Sequence, residues 1–209
     1  GDQLDYLKTG LELAGEDQDF PYDVEYSAFI GGPPMLQAFQ AGELDATNDV
    51  PSEQVPWIMA NMKDEFTNEA YLGTYYYVIN LRRDPLGKHE DVREALSMAI
   101  DRQVIVDKIT QANQLPAYSW VPPGIIGYTP AKVSWADMTM KDRIAKAKEI
   151  MKAAGYGPDN PLKLEILYNT SENHKKIAVA VQNMWKQIGV EATLLNQEWK
   201  VYLDTRQTT

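Results

Sequence analysis

The alternation of apolar and polar residues is clearest in the last third of the chain. Apolar residues recur at helical spacing along residues 140–154 and stop at Gly155, which predicts an amphipathic helix. Residues 162–168 (LKLEILY) and 190–196 (VEATLLN) have the pattern of strands, and a helix begins between them at the N-cap Ser171. Its predicted core face consists of Ile177, Val181, Met184 and Ile188. This strand–helix–strand unit predicts an α/β fold with parallel pairing.

A second strand–helix–strand pattern lies near the beginning of the chain. Residues 23–30 (DVEYSAFI) predict a strand, GGPPMLQAFQAG predicts a helix with prolines in its first turn, and residues 43–48 (ELDATN) predict another strand. Helices are also predicted at residues 4–14 and 52–65, the latter with Pro56 in its first turn. The pattern predicts a second parallel pair, joined by a right-handed crossover.

The middle of the chain contains a run of three tyrosines. In GTYYYVIN (residues 73–80), a strand would place Tyr75 and Tyr77 on one face. Tyr76 and Val78 would then lie on the other face. Aromatic side chains on both faces require an apolar neighbour on each side, or a neighbour on one side and a cleft on the other.

Two further segments follow the tyrosine run. The helical pattern of residues 91–109 opens with a capping box from Asp91 to Glu94. Residues 115–138 contain four prolines and two tryptophans and show no period. We predict an ordered loop there, because the tryptophans need something to pack against, and long aperiodic loops in compact domains are commonly functional.

Composition and charge narrow the classes of function. The chain has no cysteine and two histidines, which excludes a disulfide framework, a cysteine nucleophile and a His-rich metal site. It has no apolar run of about 18 residues and no recognisable signal segment. The net charge of −10 argues against a nucleic-acid partner.

The charge is unevenly distributed along the chain. Residues 1–70 contain 15 acidic and two basic residues, a balance of −13, whereas residues 71–209 contain 15 and 18, a balance of +3. This step predicts a domain boundary beside the tyrosine run, or two segments of separate origin.

The sequence offers few candidates for chemistry. No catalytic or nucleotide-binding motif is present and the carboxylates have the pattern of solvated surface groups, so we predict a non-enzyme without cofactor or metal. Gly31 and Gly32 precede a helix whose free N–H groups could hold an anion. The favoured alternative is an ordinary strand-to-helix turn, because the prolines that follow remove donors.

The ends of the two C-terminal strands carry the other candidates. Asn169 and His174 lie where open α/β sheets bind ligands. The alternative is a solvated histidine in a capped first turn, and spacing does not decide between the two. Trp199, Tyr202 and Arg206 share one helical face, which is either a core stripe or a site of rings and a guanidinium.

From about Ala41 to its end, the sequence resembles the oligopeptide-binding proteins of bacterial ABC importers. The matching segments are AGELDATN, GTYYYVIN, DVREALSMAIDRQVIVDKI, LPAYSWVPP, AKEIMKAAGY, LYNTSENHKK and IGVEATLLNQEWKVYLDTR. The resemblance implies an α/β, type II periplasmic-binding-protein fold of two lobes, with mixed, mainly parallel sheets and flanking helices, here incomplete. It also implies capture of short peptides by strand addition, delivery to importer membrane subunits, and a periplasmic or extracellular, lipoprotein-anchored location.

The resemblance also predicts a division of the chain. Residues 1–70 are expected to form part of lobe I, residues 71–82 the crossover strand between lobes, and residues 83–209 most of lobe II. Residues 1–47, with GDQ and YDVEYSAFIGGPPMLQAFQAGELDA, resemble instead the first lobe of sulfonate- and taurine-type binding proteins. We therefore hypothesise a chimera joined near residues 42–52, with a divergent natural protein as the alternative.

Roles carry over from the family to individual positions. The residues implied to line the peptide site are Tyr76, Asn169, His174, Trp199 and Arg206. Tyr75 and Tyr77 are expected to pack. Val78 and Gln207 depart from the family pattern, which has a glutamate and commonly a histidine there, and the aspartate that receives the peptide amino group lies downstream of LDTR.

These observations lead to a functional expectation. We expect a non-catalytic solute-binding module with weak or no peptide binding in this form, because a two-sided cleft gains much of its affinity from closure. Open sheet edges predict a homodimer or strand exchange. The alternatives are a small-anion, sulfonate-like binding module, and an engineered structural domain without a ligand that assembles as an oligomer.

Overall fold

A computed structural model describes residues 32–47, 50–69 and 71–208. The helix predicted at residues 4–14 and the strand predicted at residues 23–30 lie outside the described residues. The chain divides into two compact units, residues 1–49 and 50–209, and each is described by itself. Their boundary differs from the charge step at residue 70, and the assignment of lobes to these segments stays a prediction.

In the first unit, the predicted helix is present as α1, Gly32–Gln40. It buries Leu36 and Ala38 and is followed by Gly42 at φ +72°, the left-handed conformation that glycine adopts at a helix end. Of the strand predicted at residues 43–48, the described residues 43–47 have no ladder partner. Its expected partner lies outside the described residues.

In the second unit, short helices precede a helix-flanked sheet. Two 3₁₀ turns, Ser52–Gln54 and Lys63–Glu65, flank α2 (Val55–Asn61); then come α3 (Glu90–Met98), α4 (Arg102–Val104), a π-helical turn (Ile105–Thr110), α5 (Met140–Ala153), β1 (Leu162–Asn169), α6 (Glu172–Lys186), β2 (Val190–Gln197) and α7 (Trp199–Thr208). Among the described residues no helix is long and apolar enough to cross a membrane.

The strands β1 and β2 are parallel, as the strand–helix–strand pattern predicts. Their register runs from Leu162 opposite Val190 to Asn169 opposite Gln197. In the part of the chain that the structure describes, the sheet has these two strands, and each has an outer edge without a ladder partner. Dimerisation through these edges stays a prediction.

The core of the second unit lies between α3, α5, α6 and the sheet. Ala147 and Met151 of α5 and Val181 of α6 are almost completely buried, in agreement with the predicted helical stripes. Trp185 of α6 is also buried, and its indole Nε1–H donates to the carbonyl oxygen of Leu96 at 2.9 Å. That carbonyl belongs to the last turn of α3, where helical carbonyls lack a partner within the helix.

Two local predictions in the middle of the chain are wrong. Residues 73–80 lie in no strand, and no strand pairs with them among the described residues. The capping box is also absent because α3 begins earlier, with His89 as N-cap, so that Asp91 accepts the N–H of Val92. The next helix, α4, does have a side-chain cap, because Asp101 Oδ1 accepts the N–H of Val104 at 3.1 Å.

Candidate functional site

The centre of the candidate site is a pair of side chains at the end of β1. Asn169 is the last residue of that strand, and Ser171 caps α6 by accepting the backbone N–H of His174. The cap turns the chain so that Asn169 Oδ1 lies 2.7 Å from His174 Nδ1. Burial lowers the pKa of His174 from its ordinary value, which favours the neutral imidazole at neutral pH.

Two tyrosines extend this pair. The Tyr75 ring lies 5.3 Å from the His174 ring, and the Tyr77 ring meets Tyr75 edge to face at 6.0 Å. The Tyr77 hydroxyl is buried without a hydrogen-bond partner among the described residues. Loss of solvent raises the pKa of Tyr75 to about 12, although the residue is 53% exposed, and it also raises the pKa of Tyr77. Both phenols are therefore neutral at physiological pH.

Tyr76 has a ring partner outside this group. Its ring contacts that of Trp120 at 4.3 Å, and Thr74 Oγ1 donates to the Trp120 carbonyl at 3.0 Å. The rings of Tyr75 and Tyr77 therefore contact each other, whereas that of Tyr76 contacts Trp120. The partners were not predictable from alternation, because the ring against His174 is that of Tyr75, which the sequence assigned to packing.

The aromatic pair of α7 is the third part of the candidate site. Trp199 and Tyr202 stack with their ring centroids 5.8 Å apart and their planes at 19°. Arg206 is exposed in the last turn of α7, and among the described residues it takes no part in the contacts that join His174 to the tyrosines.

The first turn of α6 is hydrogen-bonded to a segment that is distant in sequence. Ser52 is 3% exposed, and its Oγ donates to Asn173 Oδ1 at 2.6 Å. Beside it, Lys176 Nζ lies 3.0 Å from Glu53 Oε2. The pKa of Glu53 is lowered, first by a backbone N–H and then by Lys176. Sequence reasoning missed these contacts because they join residues more than 120 positions apart.

The remaining site predictions concern anions and metals. Gly31 lies outside the described residues, and Gly32 is the first residue of α1, so the anion site there stays a prediction. Within residues 32–47, 50–69 and 71–208, no group of three or more His, Asp or Glu side chains could hold a metal ion. The described cluster offers rings, an amide and an imidazole, which suit binding through stacking and hydrogen bonds.

Comparison with known structures defines the class of protein first. The Escherichia coli murein tripeptide-binding protein MppA superposes with a TM-score of 0.78 at 40% identity, covering 84% of this chain and 34% of its own. Haemophilus influenzae OppA in complex with RPPGFSPFR gives a TM-score of 0.76 at 36% identity, covering 84% and 35%. The predicted fold class, an α/β arrangement like that of type II periplasmic-binding proteins, is confirmed.

The chain belongs to the bacterial extracellular solute-binding proteins of family 5. The family model for the middle region of these proteins matches residues 22–209. The chain is 42% identical to the periplasmic murein peptide-binding protein MppA of Escherichia coli over 171 residues, and 41% identical to the periplasmic oligopeptide-binding protein OppA of Salmonella typhimurium over 173 residues. These alignments cover 81% and 82% of the chain but 32% of either relative, so the chain spans about a third of their length.

The family match also bears on the chimera hypothesis. It begins at residue 22, upstream of the junction hypothesised near residues 42–52. Residues 22–41, which resemble a sulfonate-type lobe, therefore fall within the same family match, and the chimera stays a hypothesis.

Proposed function

We propose that this chain is the middle region of a non-catalytic peptide receptor of an ABC importer. The observation that carries the proposal is the Asn169–His174 pair beside Tyr75 at the carboxyl end of β1, in a chain about 40% identical to periplasmic peptide-binding proteins. By the same relationship we propose a periplasmic or extracellular location and importer membrane subunits as partners.

The ligand-contacting residues of this receptor are Tyr76, Asn169, His174, Trp199 and Arg206, with Tyr75 and Trp120 added from the structure. The exposed rings of Tyr76 and Trp199 suit ligand side chains of varied shape, because stacking and apolar contact are tolerant of sequence. Asn169 and His174 supply fixed polar atoms for a peptide main chain. This combination of exposed rings and fixed polar atoms suits extended peptides of varied sequence.

We further propose that the 209-residue chain binds peptides weakly. Relatives that bind peptides are about three times as long, and affinity in a closing cleft depends on groups that surround the ligand. Titration calorimetry with RPPGFSPFR and a mixed set of tri- to pentapeptides tests this directly. Dissociation constants of about 100 μM or weaker are expected, and micromolar or tighter binding would contradict the proposal.

The location of the binding surface is tested by ¹⁵N–¹H NMR titration at millimolar peptide. We expect shifts at Asn169, His174 and Tyr75, reduced severalfold by His174→Ala. His89→Ala is the matched control, because His89 is the other histidine of the chain and lies outside the cluster. Shifts that are unaffected by His174→Ala, or equally affected by His89→Ala, would place any peptide elsewhere.

A further inference from the structure

The loop between the π-helical turn and α5 is closed at its base by two aromatic residues. The rings of Tyr118 and Trp135 meet edge to face with centroids 6.2 Å apart and planes at 76°. The backbone N–H of Val133 donates to the Tyr118 carbonyl. We call these three residues the loop base. Trp135 is 4% exposed, and Tyr118 is partly buried against the same core.

Two guanidinium groups lie over the aromatic rings of the loop base. The Cζ atom of Arg102 is 5.3 Å from the ring centroids of both Tyr118 and Trp135. The Cζ atom of Arg143 is 5.6 Å from the first ring and 5.9 Å from the second. Arg102 belongs to α4, before the loop, and Arg143 to the first turn of α5, after it. The loop base is therefore held from both of its flanks.

The two arginines have no carboxylate partner among the ion pairs of the described residues. Arg102 donates to the carbonyls of Ser97 and Ile100 and to Ser97 Oγ, which fixes its orientation. Arg143 is 7% exposed, and its Nε and Nη1 are buried without an acceptor in the part of the chain that the structure describes. For Arg143 the aromatic faces are therefore the main compensation for removing the charge from water, whereas Arg102 has both the rings and its hydrogen bonds.

The loop base lies next to the candidate site. Trp120 is two residues beyond Tyr118, and it is 67% exposed. It contacts Tyr76 at 4.3 Å, and its carbonyl accepts the Thr74 hydroxyl. A displacement of Tyr118 would move Trp120 directly, because one residue separates them.

We infer that Arg102 and Arg143 are positioning residues, which clamp Tyr118 and Trp135 and thereby fix Trp120 against Tyr76. Neither arginine needs to contact the ligand. The inference rests on the proposed function only in treating the Tyr76–Trp120 pair as one wall of the binding site. The clamp itself can be tested without any ligand.

The test uses ¹⁹F NMR of the ligand-free chain labelled with 5-fluorotryptophan. The chain has five tryptophans, and the signal that disappears in Trp120→Phe is that of Trp120. Tyr76→Ala then shows the position of this signal when the partner ring is absent. In Arg143→Met we expect the Trp120 signal to move at least half of the way to its position in Tyr76→Ala. The buried Trp185 signal should stay in place and report that the core is folded. Arg82→Met is the control, because Arg82 is exposed and takes no part in the ring contacts of Tyr118 and Trp135.

If Arg143→Met fails to fold, Arg102→Lys decides the question. Lysine keeps the charge but lacks the planar group that stacks on rings and donates in several directions, so the same displacement of the Trp120 signal is expected. A folded variant in which only the Trp135 signal moves would overturn the inference and leave a purely structural role. If the clamp also governs binding, Arg143→Met and Trp120→Ala should weaken peptide affinity by the same factor. Their effects on affinity should not add in the double variant. The absence of any peptide binding would refute the proposed function but leave the ¹⁹F result standing.

Discussion

Replacing Trp185 by phenylalanine should destabilise the second unit strongly. Trp185 is 7% exposed, and its indole donates to the Leu96 carbonyl at 2.9 Å. Phenylalanine keeps an aromatic ring there but removes the donor. The Leu96 carbonyl, in the last turn of α3, would then remain buried without this partner.

The magnitude follows from two contributions. A buried acceptor that loses its donor costs about 1–3 kcal/mol. The smaller ring leaves a gap where the second ring of the indole was, which adds roughly 1 kcal/mol. The free energy of unfolding should therefore fall by about 2–4 kcal/mol, a large part of the 5–15 kcal/mol typical of a domain.

Urea unfolding followed by far-UV circular dichroism measures this change. With a slope of about 2 kcal/mol per molar urea, the midpoint should fall by roughly 1–2 M. Trp57→Phe is the matched control, because Trp57 is 46% exposed and its replacement should change stability by less than about 0.5 kcal/mol. A midpoint for Trp185→Phe that lies within error of the control would refute the role assigned to this hydrogen bond.

Two further predictions concern titration and backbone geometry. Because burial lowers the folded-state pKa of His174 below its ordinary 6.5, the unfolded state binds more protons as the pH falls below about 7, so stability should fall between pH 7 and 5. His174→Gln should flatten the profile of melting temperature against pH between pH 7 and 5, and His89→Gln should not. Equal profiles for His174→Gln and the parent would count against the role of His174. Gly189→Ala should cost more than about 1 kcal/mol, since Gly189 has φ +80° and an added Cβ would lie 2.9 Å from the Gly157 Cα. Gly155→Ala, at φ +85° with open space, should cost less in the same urea assay, and the reverse order would be inconsistent with the steric argument.

Elements whose signals are local could be predicted from the sequence. The helix α5, the cap at Ser171 and the β1–α6–β2 unit depend on periodicity and on residues a few positions apart, and all are present. The same reasoning failed for residues 73–80, because a strand exists only where another strand pairs with it. It also failed at Asp91, where the helix begins two residues earlier than the capping box requires.

The candidate site could be predicted only in part. Asn169 and His174 come together because the strand end and the helix cap are neighbours in sequence. Alternation predicted opposite directions for Tyr75 and Tyr76, but it could not predict which of them meets α6. The contact of Tyr76 with Trp120 joins segments 44 positions apart, and no local pattern specifies it.

The bonds from Ser52 to Asn173 and from Glu53 to Lys176 have a consequence for the order of assembly. Each closes a stretch of more than 120 residues, and closing so long a stretch costs roughly 4 kcal/mol of chain entropy. Two hydrogen bonds contribute about 1 kcal/mol each, which is too little to bring the segments together unaided. Residues 52–54 should therefore dock after α6 has formed and be among the first to open. Amide hydrogen exchange would then show weak protection of that turn and strong protection of α6.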